Sequence, residues 1–111
     1  MSEIKAGLLY TSDDEWLAVD GDKGVVGITD HAQDSLSDIV YLELPNVGDS
    51  FSAGETFGVV ESVKAAADLL MPVAGKVTAV NEALIDTPEE INAAPYDAWL
   101  VKITISDPAE L

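Results

Sequence analysis

A mostly β domain, arranged as a sandwich or flattened barrel, is the fold class this 111-residue chain predicts. Three observations carry that expectation. Apolar residues make up 48% of the chain and gather in short β-prone runs. Gly, Pro, Asn and Asp interrupt those runs at close intervals. Helix-start chemistry occurs in only two places, and both helices must be short.

Taken in order, Trp16–Val19 and Val25–Ile28 read as strands of a hairpin about the turn-rich Asp20-Gly21-Asp22-Lys23-Gly24. Thr29 or Asp30 can cap a short helix over His31–Ser37 by accepting a free backbone N–H, and Asp34 favours its positive end. Ile39–Leu44 is a strand closed by Pro45, which has no N–H for a ladder. Asn46-Val47-Gly48-Asp49 is a turn, and Thr56–Val63 a further strand with Lys64 at its end. Ala65–Met71 resumes an apolar run. After Pro72 and Gly75, Lys76–Val80 alternates, with Val77 and Ala79 on one side and Lys76 and Thr78 on the other. Thr87-Pro88-Glu89-Glu90 reads as a helix start, with Thr87 as cap and Pro88 as first helical residue. That helix must stop early, because Pro95 disfavours helical geometry at Ala94. Trp99–Ile105 closes the set, with Trp99, Val101, Ile103 and Ile105 on one face. The length fits one domain over residues 1–111.

Composition narrows the function classes. Five lysines, no arginine and 21 acidic residues leave a net charge of −16, which lacks the clustered cations that phosphate binding requires. No nucleic-acid partner is expected. The acidity reads equally as solubility and as a field that attracts basic partner faces and suppresses self-association, so a monomer is expected. Without cysteine there is no disulfide framework or thiolate metal site, and redox chemistry would have to come from an attached group. Met1–Leu9 lacks the layout of a secretory signal, and no stretch approaches the ~20 apolar residues of a membrane span. A soluble compartment is expected: the bacterial cytoplasm or, for a processed organellar chain, the mitochondrial matrix. His31 is the only histidine and sits in a capped turn, where a structural role outweighs a catalytic one. No phosphate-cradling glycine loop or nucleophile–base pair argues for an enzyme.

The segment that carries chemistry is Val59-Val60-Glu61-Ser62-Val63-Lys64-Ala65-Ala66-Ala67-Asp68. A tight turn over Ser62–Ala65 would project Lys64 into solvent beside small alanines. An enzyme that acylates a lysine needs that presentation, and Glu61 offers it a charged registration point. Taken alone, the same spacing also describes an ordinary surface lysine at a hairpin tip.

Glu61-Ser62-Val63-Lys64-Ala65-Ala66-Ala67-Asp68 resembles the lipoylation motif of glycine cleavage system H proteins. Other segments match that family in its order: Glu15-Trp16, Gly27-Ile28-Thr29-Asp30-His31-Ala32-Gln33, Leu42-Glu43-Leu44-Pro45, Phe57-Gly58-Val59-Val60, Val80-Asn81-Glu82-Ala83-Leu84 and Pro95-Tyr96 with Trp99-Leu100. The resemblance implies a barrel-sandwich hybrid, like lipoyl and biotinyl domains, with short flanking helices. It implies lipoic acid in amide linkage on Lys64, within the modification motif Glu61, Ser62, Val63 and Ala65. It implies a non-catalytic carrier that takes an aminomethyl group from the pyridoxal-phosphate glycine decarboxylase to the tetrahydrofolate-dependent aminomethyltransferase. Dihydrolipoyl dehydrogenase would reoxidise the arm, and a lipoate ligase or an octanoyl or lipoyl transferase would install it. Glu15 and Asp68 match acidic positions that the family uses near the arm's cleft.

The chain departs from the family at Asp14, where histidine is common before Glu-Trp, and at Ala67 and Leu69, which flank Asp68 in place of serine and an aromatic. Asp107-Pro108 resembles the start of the family's C-terminal helix, most of which is missing. Three other readings compete: a biotin carrier, disfavoured by Val63 and Ala65 where methionines flank the lysine; an H-like protein that relays lipoyl groups to other acceptors; and an unmodified interaction module.

Overall fold

The computed structural model describes residues 9–11 and 15–106. Asp14 and the expected C-terminal helix start at Asp107-Pro108 lie outside them. The strands are β1 (Leu9–Tyr10), β2 (Glu15–Asp20), β3 (Lys23–Ile28), β4 (Ile39–Glu43), β5 (Ser50–Phe51), β6 (Thr56–Ser62), β7 (Ala66–Leu70), β8 (Gly75–Val80) and β9 (Val101–Ile105). The helices are α1 (Asp30–Leu36), α2 (Glu82–Asp86) and α3 (Glu90–Ala93).

These strands form two antiparallel sheets rather than a closed barrel: a six-stranded sheet ordered β1-β2-β3-β9-β8-β5 and a three-stranded sheet ordered β4-β6-β7. Their inner faces meet in one apolar cluster. Leu17, Val26, Ile28, Val77 and Ile103 enter it from the larger sheet, and Ile39, Leu42, Phe57, Val60 and Leu69 from the smaller one. The alternation along each strand is what delivers one buried face per sheet. Helix α1 crosses from the larger sheet to the smaller, and residues 71–74 return after β7. Among the described residues no helix is long and apolar enough to cross a membrane.

The hairpin β2–β3 turns at Gly21-Asp22, where Asp20 pairs with Lys23 and Gly21 takes φ 65°. That sign of φ suits glycine and matches the twist of the flanking strands. Thr29 caps α1 as expected, its hydroxyl accepting from Ala32 N–H at 3.1 Å. His31 is exposed on that helix.

Several local expectations need correction. In β8 a bulge after Val77 pairs Ala79 with Lys102, so Val80 rather than Ala79 joins Val77 against the core. The Thr87-Pro88-Glu89-Glu90 signal does not start a helix at Pro88. Thr87 instead ends α2, its hydroxyl donating to Ala83 C=O at 3.1 Å, and α3 begins only at Glu90. The last strand starts at Val101, not Trp99, because Leu100 and Val101 are both buried and break the alternation. Trp99 lies outside the core, with the Lys102 amine 4.8 Å from its ring centre. Strand β6 ends at Ser62, so Val63 belongs to the turn.

The segment after α3 is pinned to the larger sheet. Trp16 Nε1 donates to Pro95 C=O at 3.1 Å, its ring lies 6.4 Å from that of Tyr96, and the Tyr96 hydroxyl accepts from Asp30 N–H at 3.4 Å. Burial pushes the Tyr96 hydroxyl above the ordinary phenol value, opposed by the Asp30 N–H bond. Gly27 permits this packing, since a Cβ there would come 2.3 Å from the Trp16 ring.

Candidate functional site

The hairpin β6–β7 ends in a turn that is built around one side chain. Ser62 N–H donates to Ala65 C=O at 2.7 Å. The Ser62 hydroxyl accepts from Lys64 N–H at 3.1 Å and Ala65 N–H at 3.0 Å, and donates to Ala65 C=O at 3.0 Å. A hydroxyl bridging its own turn in this way orders the tip beyond what the ladder supplies. Val63, Lys64, Ala65 and Ala66 are all exposed, Val63 to 68%. Lys64 therefore stands where the turn analysis of the sequence expected it, at the tip and clear of the core.

The tip also leans on a neighbour. Val63 N–H donates to Asp38 C=O at 3.0 Å, and the Lys64 amine donates to Ser35 C=O at 3.2 Å in the last turn of α1. A cation beside the C-terminal carbonyls of a helix is electrostatically favoured. The stretch 35–39 is itself held from α3. Asn92 Oδ1 accepts from Ile39 N–H at 2.9 Å, while its Nδ2 donates to Ser37 C=O at 2.7 Å and to Gln33 Oε1 at 2.9 Å. Asn92 did not stand out in the sequence. A single asparagine in a short helix carries no local signal when its partners lie 53 to 59 residues away.

The remaining candidates separate by depth. Glu61 is exposed on the outer row of the smaller sheet, paired with Tyr41 on one side and Ala66 on the other. Asp68 is exposed on β7 opposite Val59. Glu15 is only 2% exposed. Its Oε2 accepts from Leu70 N–H at 2.8 Å and its Oε1 from the Thr11 hydroxyl at 3.3 Å, joining the start of β2 to the outer edge of β7. Glu15 is therefore not a solvated surface carboxylate: a backbone donor on an edge strand holds it in. Leu70 ends β7, and five residues of extended chain span roughly 15 Å, which separates Glu15 from the tip. The Lys64 amine thus contacts the α1 carbonyl rather than either carboxylate.

A two-sheet scaffold that concentrates its chemistry in one amine on an ordered hairpin tip defines a presentation module. Comparison with known proteins refines that class. A family model described as "Glycine cleavage H-protein" matches residues 8–111. The chain is 55% identical over 112 aligned residues to the glycine cleavage system H protein of Carboxydothermus hydrogenoformans, covering 100% of this chain and 86% of that one. It is 50% identical to the protein of the same name from Rubrobacter xylanophilus, covering 100% and 89%. The crystal structure of a glycine cleavage system H protein from Mycobacterium marinum superposes with a TM-score of 0.88 at 40% identity, covering 93% of this chain and 87% of that one. The chain belongs to the glycine cleavage H-protein family.

Proposed function

We propose that this protein is the lipoyl carrier of a glycine cleavage system, with lipoic acid in amide linkage to Lys64. The observation that carries the reading is the exposed Lys64 amine on a turn ordered by Ser62. Forming an amide with a cofactor's carboxyl group requires an accessible amine and small flanking side chains, and Ala65 and Ala66 meet the second need. When attached, the lipoyl group supplies a disulfide that accepts an aminomethyl group from glycine and gives it up to a folate-dependent transferase.

The chain's own residues then have distinct tasks. Ser62 holds the tip against the torque of a long arm. Glu61, exposed three residues before Lys64, gives the attaching enzyme a carboxylate to register on. Asp68 lies along β7 on the proposed path of the arm, and Glu15 marks the inner end of that path while it holds Leu70 N–H. The acidic surface favours basic rims on the partners: glycine decarboxylase, aminomethyltransferase, dihydrolipoyl dehydrogenase and the lipoate-attaching enzyme. A non-catalytic, monomeric, cytoplasmic protein completes the proposal, in keeping with the bacterial relatives.

Intact-mass measurement on protein from its native source tests it. A single added lipoyl mass, lost in Lys64→Ala, is expected; a biotin increment or no increment would overturn the assignment. Glycine–bicarbonate exchange with the decarboxylase then tests the pathway. A lipoylated sample without exchange would instead put a lipoyl-relay role ahead.

A further inference from the structure

The turn that carries Lys64 makes two contacts outside its own hairpin, one with the last turn of α1 and one with the short stretch that joins α1 to β4. Asp38 C=O takes Val63 N–H and Ser35 C=O takes the Lys64 amine. This stretch has little regular structure to fix it. Ser37 sits at φ 69°, a backbone conformation that a residue with a Cβ adopts only when its surroundings hold it there.

The half-buried Asn92 carboxamide supplies that hold. Its three hydrogen bonds reach Gln33, Ser37 and Ile39, and so grip the chain on both sides of Asp38. Gln33 is fixed in turn, since its Nε2 donates to Asp30 Oδ1 at 2.7 Å and leaves Oε1 to accept from Asn92. Asn92 is kept in place by the anchoring of Pro95 and Tyr96 on Trp16 and Asp30. Hydrogen bonds and short lengths of chain between them therefore connect the larger sheet, through α3, to the tip of the smaller sheet.

The geometry points to Asn92 as a positioning residue for the acylation of Lys64, acting through the 35–39 seat beneath the turn. This rests on the reading of Lys64 as the lipoylated residue. In the reaction the Lys64 amine attacks the carbonyl carbon of an acyl adenylate. The new C–N amide bond forms as the acyl C–O bond to the adenylate breaks, AMP leaves with the electron pair, and the nitrogen loses a proton to water. An attaching enzyme must accept Val63, Lys64 and Ala65 in one pose. Loss of the seat spreads the tip over several poses, so the apparent affinity falls by the fraction that remains competent while the chemistry of the docked amine is unchanged.

The test uses the full-length unmodified protein, with Asn92→Ala and Asn92→Asp as variants. Aspartate keeps the acceptor for Ile39 N–H but cannot donate to Ser37 or Gln33, so it probes the seat even if alanine does not fold. Backbone amide exchange at Val63 is followed by NMR, with core amides of β9 as the folding control. Lipoate ligase with lipoate and ATP gives KM and kcat, and acetic anhydride labelling of Lys64 reports exposure without any enzyme. Val63 exchange is expected to rise roughly tenfold and KM by a similar factor, with kcat, anhydride labelling and β9 exchange unchanged. A folded variant with Val63 exchange and KM within about twofold of the parent overturns the proposal. Failure of the parent to be lipoylated overturns the reading of Lys64 and the positioning role with it; the exchange measurement then tells that failure apart from absence of the seat.

Discussion

In the six-stranded sheet, β3 and β9 have hydrogen-bonded neighbours on both sides, and Val26, Val101 and Ile103 are 0% exposed. In the three-stranded sheet only β6 is flanked on both sides, and its outer rows, Tyr41-Glu61-Ala66 and Glu43-Val59-Asp68, face away from the core. Both sheets feed the same apolar cluster, yet only the second leads to Lys64. The division lets one sheet be packed for stability while the other, on the proposed carrier role, would expose a face and a tip to successive partners. Substitutions in the first should therefore register as lost stability, and those at the tip of the second as lost modification.

The largest loss is expected from Ile103→Ala. Ile103 pairs across to both Gly24 and Val77, and its side-chain atoms come 3.1 Å from where a Cβ on Gly24 would sit and 3.2 Å from one on Gly75. Truncation leaves a void bounded by strands that cannot close in, and should cost about 4 kcal/mol in urea unfolding. Gly27→Ala comes next, at about 2–3 kcal/mol. The added methyl would meet the Trp16 ring, whose Nε1 is tied to Pro95 C=O and so cannot swing aside without breaking that bond. A parent-like midpoint in either variant would mean that the larger sheet is more forgiving than its packing implies.

Glu15→Ala lies at the boundary between the two sheets. It strips Leu70 N–H and the Thr11 hydroxyl of an acceptor, for a loss of about 2 kcal/mol. Because β7 is an edge strand, amide exchange at Leu70 should accelerate well beyond that at Ile103. Equal acceleration at both would show that the sheets unfold as one unit. Tyr96→Phe is milder, about 1 kcal/mol, since Asp30 N–H loses one bond. It also carries a pH signature. The folded-state value of Tyr96 is raised by burial, so its stabilising effect is complete below the ordinary phenol value and is lost as pH rises through the folded value. The parent should lose stability more steeply than the variant on the alkaline side. Identical profiles would remove Tyr96 from the account.

Much of this was readable in the chain because the informative features are local. The Thr29 cap, the hairpin over Gly21-Asp22 and the turn at Ser62–Ala65 each depend on residues within a few positions of one another, and each formed as expected. Helix α2 escaped because nothing local announces it. Asn81 makes no side-chain cap and sends its Nδ2 to Trp99 C=O at 2.9 Å, while Thr87, which has the chemistry to cap the next helix, closes this one. Strands β1 and β5 have two residues each, too few for a period to show. The seat beneath Lys64 was hidden for a further reason: Asn92, Ser37 and Ile39 become one feature only after α3 has docked on α1. Glu15 likewise acquires its backbone partner only when β7 is laid beside β2.

Lys64→Gln is the smallest expected effect on stability and the sharpest test of the division. Glutamine loses the contact with Ser35 C=O, a single exposed hydrogen bond worth a few tenths of a kcal/mol, and leaves the Ser62 bonds to the turn backbone in place. The urea midpoint should stay within about 0.5 kcal/mol of the parent, and lipoyl incorporation, read by intact mass, should vanish. Loss of both together would mean that Lys64 is part of what holds the smaller sheet. The amine would then be a structural contact to the α1 terminus, and the separation between a sheet built for packing and a sheet built for presentation would fail at the residue where it matters most.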